Sequence, residues 1–152
     1  MSLDLGTDNL LLTTMCRAAS VFRDPHLLCG MTLPELFACH LISINDKMNK
    51  PTRGKEVSVA LEISKPAVSK LLDTMEKKDL IRRERRDYDR KSVFLILTDK
   101  ATALLEEQKA TAAVMTKRVF AEMGMEKAKE FLDHMKLFYD CYNKVEASLW
   151  ES

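Results

Sequence analysis

Apolar positions along most of the chain recur at helical spacing. Asp8 is placed to cap a helix in which Leu11, Met15, Ala18 and Phe22 form one stripe, with Leu12, Cys16 and Ala19 beside it. Asp24-Pro25 predicts its end near Arg23, because the residue before a proline avoids the helical region. So wide an apolar face predicts burial on more than one side. After Cys29-Gly30, Thr32 and Glu35 form a T-x-x-E capping box with Pro34 in the first turn. Leu33, Leu36, Phe37, His40, Leu41 and Ile44 then carry the helical period to about Asp46.

Asn49-Lys50-Pro51 interrupts this pattern. Thr52 is placed to cap a short helix from Arg53 to Leu61, with Val57, Ala60 and Leu61 apolar. A turn at Glu62-Ile63 leads to Ser64, a second N-cap, with Pro66 tolerated in the first turn. The helix that follows runs to about Lys78, burying Val68, Leu71, Leu72 and Met75 and presenting Lys65, Ser69, Lys70 and Asp73 on its other face. Two short helices across a tight turn, the second basic near its start, make a helix-turn-helix pattern.

The period then changes. Leu80 to Arg86 and Ser92 to Leu97 read as strands, and Asp87-Tyr88-Asp89-Arg90-Lys91 is the polar turn of a hairpin. Thr98 caps a long helix ended by Gly124, with Leu104, Ala112, Met115 and Val119 as its stripe. In the last helix, from Met125, the residues Phe131, Met135, Phe138, Tyr142, Val145 and Leu149 form a near-heptad seam that asks for a partner helix.

A chain of 152 residues is one domain or two small subdomains, and 46% hydrophobic with 31% charged residues is a globular balance. Four glycines and four prolines are too few for a loop-rich barrel or sandwich. No run approaches 18 uninterrupted apolar residues and Met1-Ser2-Leu3-Asp4 does not begin an export signal, so a soluble, cytoplasmic protein with no membrane partner is expected. The net charge of +1 conceals an asymmetry: Lys50 to Lys91 holds 13 basic and 8 acidic residues, and the remainder is correspondingly acidic. A basic middle draws a polyanion to one region, although a lone basic run also serves as a solvated face.

Catalytic chemistry is not apparent. Cys16, Cys29, Cys39 and Cys141 form no CxxC pair, and His26, His40 and His134 have no HxxxH spacing. Gly54-Lys55 is followed by Glu56, and Asn49 stands where a phosphate loop needs glycine. The reading is therefore of no enzyme, no metal and no cofactor. Cys39 and Cys141 are expected as small buried apolar residues.

The stretch from Ser64-Lys65-Pro66-Ala67-Val68-Ser69-Lys70 to Asp79-Leu80-Ile81 closely resembles the recognition-helix region of the MarR family of winged-helix transcription regulators. Asp87-Tyr88-Asp89-Arg90-Lys91, running into Val93-Phe94-Leu95-Ile96-Leu97-Thr98, is similar to that family's wing. The resemblance implies a mainly α fold with a small β-hairpin wing, a winged helix-turn-helix plus a helical dimerisation region. It divides the chain into 1–32 (N-terminal dimerisation helix and linker), 33–98 (DNA-binding domain) and 99–152 (C-terminal dimerisation helices). Two departures stand out: Glu62 sits where many relatives have glycine, which suggests a different turn, and Ser58 sits where alanine is usual.

A helix N-terminus in the major groove brings backbone N–H groups and short side chains to phosphates and base edges. Ser64, Lys65, Ala67, Ser69 and Lys70 are therefore the candidate contacts, with Ala67 able to meet a thymine methyl. Arg90 at the hairpin tip suits a narrow minor groove, and the resemblance implies that Asp89 or Asp87 orients it. Lys91 joins this set, and Arg82, Arg83, Arg85 and Arg86 read as phosphate contacts or solvated charges.

The function expected is a ligand-responsive repressor that binds double-stranded DNA as a homodimer on a pseudo-palindromic operator. A small aromatic or amphiphilic ligand is implied, with Met15, Phe37 and His40 as candidate contacts, although His40 reads more readily as a satisfied core or interface histidine. Cys16 is the candidate redox residue, because some similar regulators sense peroxides through a first-helix cysteine, although Arg17-Ala18-Ala19 offers no tyrosine to polarise the thiol. The alternatives are a redox-sensing variant and a protein–protein adaptor using the winged-helix surface.

Overall fold

A computed structural model describes residues 13, 14, 16, 17, 19, 20, 23–86 and 89–150. Met15 and Asp87 lie outside the described residues, as do the predicted start and several positions of the first helix; its described members 13, 14, 16, 17, 19 and 20 are helical. The elements that follow are α1 (Pro25–Leu28), α2 (Leu33–Lys47), α3 (Gly54–Leu61), α4 (Lys65–Lys77), β1 (Ile81–Arg86), β2 (Asp89–Leu97), α5 (Asp99–Met123) and α6 (Met125–Trp150). Two compact units divide at Thr111/Ala112.

Asp24 does more than stop a helix. Its carboxylate accepts from His26 N at 2.8 Å and so caps α1, an element the proline had hidden. Cys29, in the left-handed region at φ 47°, and Gly30, at φ 76°, end it. The capping box at Thr32 forms as expected: the Thr32 N–H donates to Glu35 Oε2 at 2.7 Å. Residues 25–47 are long and apolar enough to cross a bilayer by composition, but the path breaks at Cys29-Gly30 and α2 buries Leu36, Ala38, Cys39 and Ile42 in the core of the first unit.

That burial corrects the expected face of α2. The helix is apolar on two sides, and the core takes Leu36, Ala38, Cys39 and Ile42. Phe37 and Ile44, each 51% exposed, belong to the other side. Thr52 is likewise not the cap of α3. It is buried, its hydroxyl accepts from Asn45 Nδ2 at 3.0 Å, and its carbonyl accepts from Leu95 N at 2.8 Å. Arg53 caps α3 instead, its N–H donating to Glu56 Oε2 at 2.9 Å.

Between α3 and α4 the chain turns through Glu62 at φ 53° and ψ 37°. The expected different turn is thus not found: a glutamate adopts the left-handed conformation that glycine takes without a steric penalty. Ser58 is accommodated because its hydroxyl donates to the Ile63 carbonyl at 2.7 Å, across this turn. Val68, Leu72 and Met75 seat α4 on a core completed by Val57, Leu80, Ile81, Leu95, Ala101 and Leu105.

The two antiparallel strands pair Ile81 with Leu97 and Glu84 with Phe94. A register shift between Glu84 and Arg86 brings Arg86 opposite Asp89. The second strand therefore begins at Asp89, and residues 89–91, expected in the turn, belong to the ladder. Thr98 Oγ1 accepts from Ala101 N at 3.1 Å and caps α5. Ala101 and Leu105 are its buried residues, whereas Met115 and Val119 are exposed.

In the second unit, Gly124, at φ 80°, separates α5 from α6 as expected. Phe131, Met135, Phe138, Tyr142, Val145 and Leu149 are all exposed along α6. Cys141 is exposed too, contrary to the expectation of burial, because no described side chain covers its face of α6.

Glu62→Gly is expected to stabilise the protein. Glycine removes a left-handed penalty of roughly 1–2 kcal/mol but returns about 0.4–1 kcal/mol of unfolded-state entropy. Losing a carboxylate at a helix C-terminus adds in the same direction. Thermal melting should show a midpoint a few degrees higher.

Candidate nucleic-acid interface

The inner side of α4 is determined by helical period: Val68, Leu72 and Met75 point into the core, and the residues between them must face out. Ser64, Lys65, Ala67, Ser69 and Lys70 are all exposed. Ser64 accepts from Ala67 N at 3.4 Å and caps the helix, as predicted. Lys65 and Lys70 form no ion pair among the described residues. The helix N-terminus and two free ammonium groups thus share one surface, an arrangement that attracts anionic oxygen.

Beside this surface an open groove of about 570 Å³ runs between α3, α4 and the hairpin, lined by Lys55, Val59, Lys65, Ser69, Leu72 and Arg83, among others. Lys55 had not been singled out from the sequence; its place in the first turn of α3, one turn before Val59, was the available signal. Arg83, expected as a phosphate contact or a solvated charge, is instead ion-paired. Its guanidinium reaches Asp73 Oδ1 at 2.6 Å and Glu76 Oε2 at 3.4 Å, tying β1 to α4. The period of two explains it, since Arg83 shares the face of buried Ile81 and so points toward the helix. Arg82 and Arg85 remain exposed.

At the hairpin tip, Asp89 Oδ1 accepts from Ser92 N at 3.0 Å and shapes the start of β2. The backbones of Arg90 and Lys91 lie in that strand; their side chains are outside the described residues.

The candidate ligand residues are partly brought together. Phe37 and His40 line an open, mainly apolar groove of about 630 Å³ with Leu33, Leu41, Ile44 and Leu61. His40 Nε2 is 3.1 Å from Gln108 Oε1 and half-buried, so it is a satisfied histidine as well as a groove residue. Cys16 is exposed. Burial pushes the Cys39 thiol up to about 12, with the nearby Glu35 charge adding to the shift, and burial raises Cys29 as well. No group of three or more metal-ligating side chains occurs among the described residues.

A short helix, a tight turn, a second helix with a free outer face and an adjoining antiparallel hairpin define a winged helix-turn-helix. Residues 30–92 match the model of the MarR family. The HTH-type transcriptional regulator MgrA of Staphylococcus aureus is 42% identical over 57 residues, which span 38% of this chain and 39% of that relative. Among solved structures, the transcriptional repressor CouR bound to a 23-mer DNA duplex is 25% identical with a TM-score of 0.67, covering 91% of this chain and 99% of that one. The S. aureus MepR–DNA complex shares the fold at 17% identity and a TM-score of 0.66, covering 88% and 98%.

Thiol reactivity should follow burial, since the thiolate is the nucleophile. In the folded protein at mildly alkaline pH, iodoacetamide should leave Cys39 unmodified and label it only after denaturation. Peptide mass spectrometry reads the difference.

Proposed function

We propose that the protein is a sequence-specific DNA-binding transcription regulator, acting in the cytoplasm as a homodimeric repressor on a pseudo-palindromic operator. The observation that carries this reading is the outer face of α4, where Ser64, Lys65, Ala67, Ser69 and Lys70 stand exposed around a capped helix N-terminus. CouR and MepR, of the same fold, are seen with DNA, and the family is one of transcription regulators. In this reading Ser69 and Lys70 meet base edges while Lys65 and the Ser64 end of the helix meet phosphate. Asp89, Arg90 and Lys91 bring the wing to the adjoining minor groove. No catalytic step is assigned.

Homodimerisation is supported by the exposed seam from Phe131 to Leu149 on α6, since contiguous apolar surface of this kind marks an interaction site. A two-fold dimer then places two α4 helices on symmetric half-sites. Ligand response is supported by the groove at Phe37 and His40, whose apolar lining and single imidazole suit an aromatic or amphiphilic molecule.

Sedimentation at micromolar concentration is expected to report twice the chain mass, and a clean monomer would remove the operator-symmetry argument.

On a selected duplex, Lys70→Ala or Ser69→Ala should relax preference at one position per half-site by ~1–3 kcal/mol if the contact is bidentate. Arg82→Ala should weaken all duplexes alike and flatten the salt slope by about one unit. Arg90→Ala should weaken binding more than Arg82→Ala, with Arg90→Lys recovering part of the loss. Fluorescence anisotropy at fixed salt ranks the variants. Equal losses from every variant on every sequence would show that α4 does not read bases, and the absence of any salt-dependent binding would favour the adaptor reading.

A further inference from the structure

Glu35 is the only charged residue buried among those described, at 1% exposure. Its carboxylate accepts from the Thr32 N–H at 2.7 Å, and the Lys78 ammonium lies 2.9 Å from each of its two oxygens. Burial pushes the Glu35 carboxyl up, but the Thr32 N–H and Lys78 outweigh it and hold the group below the ordinary carboxylate range. The partner in this bond is distinctive. Lys78 is the C-cap of α4, and its carbonyl accepts from Lys100 Nζ at 2.6 Å. The next residue, Asp79, is left-handed at φ 57°, and its carbonyl accepts from Thr98 Oγ1 at 2.7 Å.

A capping box needs only an acceptor at the third helical position, and glutamine supplies one as well as glutamate. A carboxylate in so dry a place is much harder to desolvate than an amide. The charge at Glu35 is therefore explained by Lys78 and not by the cap. We propose that Glu35 is a positioning residue for DNA recognition: through Lys78 it holds the C-terminal end of α4, and with it the placement of the Lys65–Lys70 face. This rests on the DNA-binding reading above. The geometry works as a lever. Ser64 and Lys78 are separated by about 20 Å of helix, so a swing of about 5° at the tied end displaces the reading end by about 2 Å, beyond the ~0.5 Å that oriented polar contacts tolerate.

The test compares Glu35→Gln, Lys78→Met, their double variant and Lys78→Arg on two probes: a duplex selected by the wild-type protein from a random-sequence pool, and the pool itself. Each single loss of the bond should reduce affinity for the selected duplex, relative to the pool, by about tenfold, the factor equivalent to 1.4 kcal/mol. The double variant should lose no more than the worse single one, because both remove one shared interaction. Lys78→Arg should restore most of the preference. Equal losses on both probes, additive losses, or a lower melting temperature with unchanged preference would overturn the proposal. So would a Glu35→Gln variant that binds normally while Lys78→Met flattens the salt slope, which would make Lys78 a direct phosphate contact. Hydrogen exchange separates this inference from the reading beneath it. The amides of Lys78, Asp79 and Leu80, bonded to the carbonyls of Thr74, Glu76 and Met75, should exchange faster in Glu35→Gln while that of Val57 does not. If the wild type selects no duplex, the DNA reading fails separately. Unchanged exchange at those amides then overturns the positioning as well, and local acceleration upholds it.

Discussion

The constraint on which the first unit depends is the seating of α4. A helix whose outer face is left exposed has only its inner face with which to hold position. Here that face is three apolar side chains, Val68, Leu72 and Met75, with Leu71 half-buried beside them. Helical period leaves the outer positions free of any packing role, which is why lysine and serine are tolerated there. Polar ties supplement this packing. Arg83 holds the middle of the helix to β1, Lys78 holds its end to Glu35, and the Ser58–Ile63 bond steadies the turn before it.

The turns at the two ends of α4 share a feature. Glu62 and Asp79 are both non-glycine residues in the left-handed region. Each is followed by a bond that gives the turn no alternative: Ile63 N donates to the Ser58 carbonyl at 3.2 Å, and Leu80 N donates to the Met75 carbonyl at 2.8 Å. The surrounding structure over-determines both conformations, as it must where a side chain is held in a sparsely populated region.

Much of this architecture was legible in the sequence, for identifiable reasons. The caps at Thr32, Ser64 and Thr98 and the stop at Gly124 are local signals whose donors and acceptors lie within four residues, so their chemistry can be read directly. The outer face of α4 was legible because its period is strict. What was not legible depended on contacts distant in the chain. Thr52 looked like a cap until its hydroxyl and carbonyl were claimed by Asn45 and Leu95. Arg83 looked like one more arginine in a basic run until the hairpin carried it to Asp73. Glu35 could be assigned to its capping box but not to Lys78, which lies 43 residues away. On α2 the period identified the helix without selecting the buried side, because both sides are apolar.

In the dimer proposed above, the exposed row of aromatic and aliphatic side chains on α6 would have a thermodynamic consequence. A surface that is wet in one copy and dry in a complex makes the free energy of the fold depend on how much of its complement is present, growing as the logarithm of that concentration over the dissociation constant. The melting temperature of such a chain is then not a constant of the molecule but a function of dilution. The supply of the complement becomes, in effect, one of the forces holding the protein together.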